Sequence, residues 1–271
     1  GAVSIIERAT LPCGEWDAFV DVHERGWFWH REAWLDYQLA YRPTNVDASF
    51  VVAGAGGVLA LVPLLLTHVD GGRREFSYSG DPLAAPLYVR AALSDTLSGG
   101  RRLGRQIGET AIRYTVAGAR VMGSPFADDD GAAGSPYAQR VIDLTASVSN
   151  LWVSVRRSYK GLIHQGERAL RVSTSCGSGD GFSSYRALHQ SRYNTPRPEA
   201  TYAMQARWLD IGDALLVVAE RGADCVGAAY WITYKARAYY ASGVYAEGNV
   251  AHAVIWRSLV ALKRLGVQFA S

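Results

Sequence analysis

The chain has 271 residues, of which 49% are hydrophobic and 20% charged, with a formal net charge of +3. Those numbers exclude wholesale disorder and allow one large domain or two of ordinary size. So slight a positive balance does not by itself announce a nucleic-acid binder. Three cysteines, Cys13, Cys176 and Cys225, are far apart and odd in number, which argues against a disulfide framework. No CxxC pair exists to support a structural zinc site. The longest apolar run, from Val58 to Thr67, is broken by Pro63 and is too short to span a bilayer. The N-terminal segment lacks the basic and apolar regions of a signal peptide. A cytoplasmic protein without a membrane span is expected.

In chain order, Glu15 to His23 and Arg31 to Ala40 place apolar residues at helical spacing (Trp16, Phe19, Val20; Trp34, Leu35, Leu39). Ser49 to Ala53 and Val58 to Leu66, joined by Gly54-Ala55-Gly56-Gly57, read as a hairpin. Glu75 to Ser79 reads as a strand that Gly80-Asp81-Pro82 breaks. A helix over Leu103 to Val116, a strand at Arg120-Val121-Met122 and a loop from Asp128 to Ser135 follow. Leu151 to Leu170 is predicted as one long helix, and Ser173 to Gly181 as a loop. Helices over Phe182 to Gln190 and Glu199 to Asp210 come next. Ala214 to Ala219 and Cys225 to Tyr234 form a second hairpin, and Ala238 to Tyr245 a third strand. A last helix runs from Ala251 to Leu265, stopped by Gly266. Val267 onward reads as a strand, so either the fold ends on an edge strand or a further C-terminal piece completes it.

Both parts thus follow one order: helices, antiparallel hairpin, strand, helix, strand. An α/β fold with two units, 1–148 and 149–271, is expected, each a mixed, largely antiparallel sheet flanked by helices.

Several segments resemble FemAB-like proteins of the GCN5-related acyltransferase superfamily. LWVSVRRSYKGLIHQGERALRV (Leu151 to Val172) is similar to the basic helix that opens their second half. FSYSGDPLAAPLYV (Phe76 to Val89) is similar to a first-half segment, and PRPEATYAMQ (Pro196 to Gln205) to a helix start. Tyr239 to Val267 resembles the last strand, loop and helix of a GCN5-type unit. The resemblance implies tandem GCN5-related units and amide-bond formation. Such proteins pass amino acids from aminoacyl-tRNA to an amine on a peptidoglycan precursor, and relatives in antibiotic pathways extend a small peptide or peptidyl nucleoside. Two departures stand out. Ala246-Glu247-Gly248-Asn249 occupies the place of the glycine-rich loop that would cradle the pyrophosphate of an acyl-CoA. No heptad stretch provides a helical arm.

The sharpest feature is the basic helix. Arg157, Lys160, His164, Arg168 and Arg171 recur at spacings of three and four, with Arg156 adjacent, and Glu167 is the one acid among them. Such a stripe can hold the phosphates of a tRNA acceptor end or of a nucleotide-linked acceptor; the plainer reading is a solvated helix face. Asp81 can receive or position an acceptor amine, or simply close its own turn. Arg197, beside Glu199 and Tyr202, can clamp an anion, although Pro198 and Glu199 also suit an ordinary helix start. On the strand over Tyr239 to Gly243, strict alternation would put Tyr240 and Ser242 on one face and Tyr239, Ala241 and Gly243 on the other. Tyr239 or Tyr240 can then protonate a leaving group, with Trp231 and Ser242 lining the channel, though aromatic strand residues commonly just pack. His23, His30, His68 and His252 lack ligand spacing, and Cys176 has no evident histidine partner.

The expected chemistry is direct attack of an amine on an ester or thioester, with Asp81 and a tyrosine of the 239–240 pair nearest the reacting atoms. It needs no metal and no cofactor. Aminoacyl-tRNA is the expected donor, and a small amine-bearing peptide or nucleotide-linked compound the acceptor. Acyl-CoA-dependent N-acylation of an amino sugar or amine, and a non-catalytic binding module of the same fold, are the other readings.

Overall fold

The computed structural model describes residues 4–69, 73–81, 83–89, 120–121, 140–175, 177–193 and 197–271. The expected helix over Leu103 to Val116, the loop from Asp128 to Ser135 and Cys176 lie outside them. The chain divides into two compact units, Gly1–Ala138 and Gln139–Ser271.

The first unit opens with strand β1 (Ser4–Glu7) and helices α1 (Glu15–Val22) and α2 (Glu32–Tyr41). Strands β2 (Val46–Asp47), β3 (Phe50–Gly54), β4 (Gly57–Val62), β5 (Leu65–Val69), β6 (Arg73–Phe76), β7 (Leu87–Tyr88) and β8 (Arg120–Val121) follow. Two sheets result, with strand orders β1-β3-β4-β7 and β2-β5-β6-β8. All pairings are antiparallel except β6 with β8, which is parallel. Pro63, which cannot donate a ladder hydrogen bond, falls between β4 and β5 and splits the expected single strand. Trp16, Val20, Phe28, Leu35, Phe50, Leu61 and Phe76 form a core at no more than 1% exposure.

The second unit contains β9 (Ile142–Asp143), α3 (Val148–Ser154), α4 (Arg157–Ala169), β10 (Arg171–Ser175), α5 (Asp180–Arg192) and α6 (Glu199–Asp210). It continues through β11 (Ala214–Arg221), β12 (Asp224–Tyr234), β13 (Arg237–Tyr245), α7 (Gly248–Arg264) and β14 (Phe269–Ala270). One sheet runs β10-β11-β12-β13-β14-β9, antiparallel throughout except for the parallel β13–β14 pair. In each unit a parallel pair, β6 with β8 and β13 with β14, joins otherwise antiparallel described strands.

The runs ALLVVA on β11 and GAAYWI on β12 are apolar throughout because helices cover both faces of this sheet. Leu215, Val217, Ala229 and Trp231 face α7 and α4, where Val250, Ala253, Val254 and Ile163 complete one core. Leu216, Val218 and Tyr230 face α5 and α6. Each such buried side chain contributes about 1.5–3 kcal/mol relative to exposure. The α4 and α7 helices meet closely at Gly166, where a Cβ would stand 2.6 Å from that of Ala253, and the Glu167–Arg257 ion pair at 2.8 Å reinforces the contact.

Three expectations are corrected. The single helix over Leu151 to Leu170 is two, because Val155 and Arg156 are extended (ψ 132° and 139°) between α3 and α4. The segment expected to loop from Ser173 begins as strand β10, paired with β11 over Arg171–Ser175. The C-terminal segment is not an edge: β14 lies between β13 and β9. β9 itself, which precedes position 148, pairs within the second unit's sheet.

Candidate functional site

The parallel pairing of β13 with β14 covers only Arg237 and Ala238, and the Tyr240 N–H then donates to Ser271 O at 2.7 Å. Strand β13 runs on to Tyr245, and no strand among the described residues pairs with that edge beyond Tyr240. The candidate site lies along this stretch of β13.

A bulge re-aims the side chains here. Tyr230 opposes Ser242, but Trp231 opposes Tyr240, so Ala241 is the extra residue. Strict alternation is therefore wrong for this strand. Ser242 lies with Tyr230 on the face toward α5 and α6, whereas Tyr240 lies with Trp231 on the face toward α7, their rings 5.2 Å apart. Tyr239, opposite Ile232, falls on the Ser242 face.

On that face, the Tyr185 hydroxyl from α5 donates to Ser242 Oγ at 3.0 Å. The Arg197 guanidinium donates to Ser242 Oγ at 3.1 Å and to the Tyr185 hydroxyl at 3.5 Å. Tyr202 on α6 hydrogen-bonds His189 Nδ1 at 2.9 Å and takes the Arg197 backbone N–H. Burial, helped by nearby Arg197, lowers the His189 pKa to about 4, so the ring is neutral near pH 7. Burial also raises the Tyr185 hydroxyl, against the opposing charge of Arg197. The face is a network of neutral hydroxyls and imidazole around one guanidinium.

On the opposite face, the Tyr240 and Tyr245 hydroxyls bond each other at 2.9 Å, and burial raises the pKa of both. They close over Gly243, where a Cβ would run into the Tyr240 ring and hydroxyl. Tyr193, at the end of α5, donates to Gly243 O at 3.2 Å and is close enough to raise Tyr185, Tyr240 and Tyr245 electrostatically. Tyr193 thus lies near tyrosines of both faces of β13.

Other expected residues are placed differently. Glu199 is exposed and held by Arg186 at 2.7 Å, outside the Ser242 network. Trp231 belongs to the α7-side core and not to the Ser242 face. Asp81 is in the first unit, in a tight loop with Tyr78 closed by backbone hydrogen bonds of 2.7 and 3.1 Å. The residue is exposed overall, yet neighbouring atoms crowd its carboxyl enough to raise its pKa. Tyr185, His189, Tyr193 and Gln205 went unnoticed in the sequence. Their i, i+4, i+8 spacing from Tyr185 to Tyr193 on one helix was the available signal.

The basic residues also divide. Arg157, Lys160, His164 and Arg168 share one face of α4, with Arg156 at its N-cap. Arg157 and Arg168 are exposed and have no partner among the described residues. Lys160 lies 5.6 Å from the Trp152 ring and Arg156 6.0 Å from that of Tyr159. Arg171 has left the helix for β10, where Glu220 pairs with it at 2.5 Å. At the start of α7, Glu247 is held by Arg221 at 2.9 and 3.3 Å. A carboxylate there opposes a pyrophosphate at this helix N-terminus. Among the described residues no three His, Cys, Asp or Glu side chains converge as metal ligands would, and no helix is long and apolar enough to cross a membrane.

No protein family model matches the sequence, and no curated protein does. Solved structures do match. FemX aligns over 98% of this chain and 87% of its own, with TM-score 0.62 and 12% identity. A conserved protein of unknown function from Bacteroides thetaiotaomicron aligns over 99% and 89%, with TM-score 0.55 and 9% identity. The fold is thus FemX-like. At such identities the likeness concerns the fold alone.

Proposed function

We propose that the protein is an aminoacyltransferase that forms an amide bond between the aminoacyl group of an aminoacyl-tRNA and the amine of a small acceptor. The observation that carries this reading is the cationic face of α4, with Arg156, Arg157 and Arg168 exposed and Lys160 half-buried, in the unit that also holds the Ser242 network. Cations at that spacing suit a polyphosphate backbone. The Glu247–Arg221 pair at the head of α7 favours this donor over acyl-CoA.

In the reaction, the acceptor amine attacks the ester carbonyl carbon. A C–N bond forms, the C–O bond to the ribose breaks, and the amine proton ends on the released hydroxyl. A neutral amine is required, and the hydroxyl-lined site with its neutral imidazole provides hydrogen-bonding groups without adding charge. Arg197 holds an anionic group of the acceptor.

The test is incubation with a pool of radiolabelled aminoacyl-tRNAs and candidate amines, and separately with acetyl-CoA. RNase-sensitive transfer of label to a small product supports the assignment. Thiol release from acetyl-CoA without use of aminoacyl-tRNA replaces it with N-acylation from a thioester.

A further inference from the structure

The Ser242 network contains a polar atom that the fold leaves unsatisfied. Gln205, on α6, is 1% exposed. Its amide reaches the Tyr185 hydroxyl, and its backbone carbonyl takes the Tyr230 hydroxyl at 2.7 Å. Its side-chain oxygen, Oε1, has no hydrogen-bond partner among the described residues. Folded proteins keep few buried acceptors in this condition, and one next to a candidate site calls for a donor from outside the chain.

Its position defines that donor. The Tyr185 hydroxyl that receives the Gln205 amide also receives Arg197 at 3.5 Å and donates to Ser242 at 3.0 Å. One phenol therefore has the Arg197 guanidinium and the Gln205 side-chain amide against it, and that amide's oxygen is the unsatisfied acceptor. Their complement is a molecule with a negative oxygen and an N–H close together. A phosphate fits poorly: its oxygens would face the Gln205 carbonyl without a donor between them. His189, held neutral, adds no second charge, and Arg186 is engaged by Glu199.

Resting on the transfer reading above, we infer that the acceptor is an α-amino acid, with its carboxylate on Arg197 and Ser242 and its amine donating to Gln205 Oε1. The two groups share one carbon, so both contacts form within a single side-chain cluster. An amine that donates to a neutral carbonyl keeps its lone pair for attack. The product is a dipeptide with a free carboxylate, and the released tRNA hydroxyl carries the proton.

Binding of the common amino acids, their methyl esters and the corresponding decarboxylated amines to the full chain is measured by calorimetry without any donor. At least one amino acid should bind, with its ester and amine each weaker by about tenfold or more. Gln205→Leu should weaken that amino acid by about tenfold without lowering the melting temperature, and Gln205→Met should behave the same way. Equal binding of acid and ester, no amino-acid binding, or unchanged affinity in both variants overturns the inference. Transfer from aminoacyl-tRNA to other amines without amino-acid binding overturns it while sparing the transfer reading. Carboxylate-selective binding with no transfer from any donor leaves the pocket assignment standing and overturns the transfer reading.

Discussion

The two faces of β13 are built from the same kinds of residue and do different things. Toward α5 and α6, Ser242 collects Tyr185 and Arg197 into a hydroxyl network around one cation. Toward α7, Tyr240 and Tyr245 pair with each other over Gly243 and pack on an apolar core. The bulged residue Ala241 separates the two sets. One additional residue puts Tyr240 and Ser242, two positions apart, on opposite faces of the strand. The expected consequence is that substitutions on the first face change turnover and substitutions on the second change stability.

Arg197→Ala should give the largest effect on the first face. We expect kcat/KM for transfer to fall by about 100-fold or more, with only a small change in melting temperature. Arg197→Lys should recover little, because an ammonium cannot bridge the two hydroxyls as a planar guanidinium does. On the second face, Gly243→Ala forces the Tyr240 ring aside and should cost about 1–3 kcal/mol of stability in denaturant unfolding. If Gly243→Ala left stability intact while Arg197→Ala unfolded the protein, the division between the faces would be reversed.

Away from β13, the double change Arg157→Ala with Lys160→Ala should raise KM for aminoacyl-tRNA by about tenfold and flatten its salt dependence. Affinity for the small acceptor should stay as it was. A smaller effect concerns pH. His189 titrates at about 4 in the fold against an ordinary 6.5. The unfolded chain therefore takes up a proton first, and stability should fall as pH drops through that window, by at most about 3 kcal/mol. His189→Gln should flatten that slope in urea titrations between those pH values.

Much of the fold was legible in the sequence, and the reasons are local. The apolar runs on β11 and β12 and the glycine- and proline-marked turns carry their own signals, as at Gly222 and Pro63. The helix break at Val155–Arg156 carries none, since no glycine or proline marks it and the apolar spacing continues across it. Strands β1 and β10 are short, and pairing with β3 and β11 makes them strands. The candidate site was half legible. Arg197, Tyr202 and Ser242 were singled out and are brought together. The facing of Tyr240 was not legible, because a bulge is a property of two strands and not of one. Gln205 was invisible because its interest lies in a hydrogen bond that is missing.

The central claim is that an aminoacyl ester on RNA is the donor. Its most direct test is label transfer from a mixed pool of aminoacyl-tRNAs to amine acceptors, with RNase-treated and acetyl-CoA arms run in parallel. The account predicts a labelled small product that RNase abolishes and that Arg157→Ala with Lys160→Ala diminishes. Free thiol from acetyl-CoA, with every aminoacyl-tRNA left unconsumed, would contradict it.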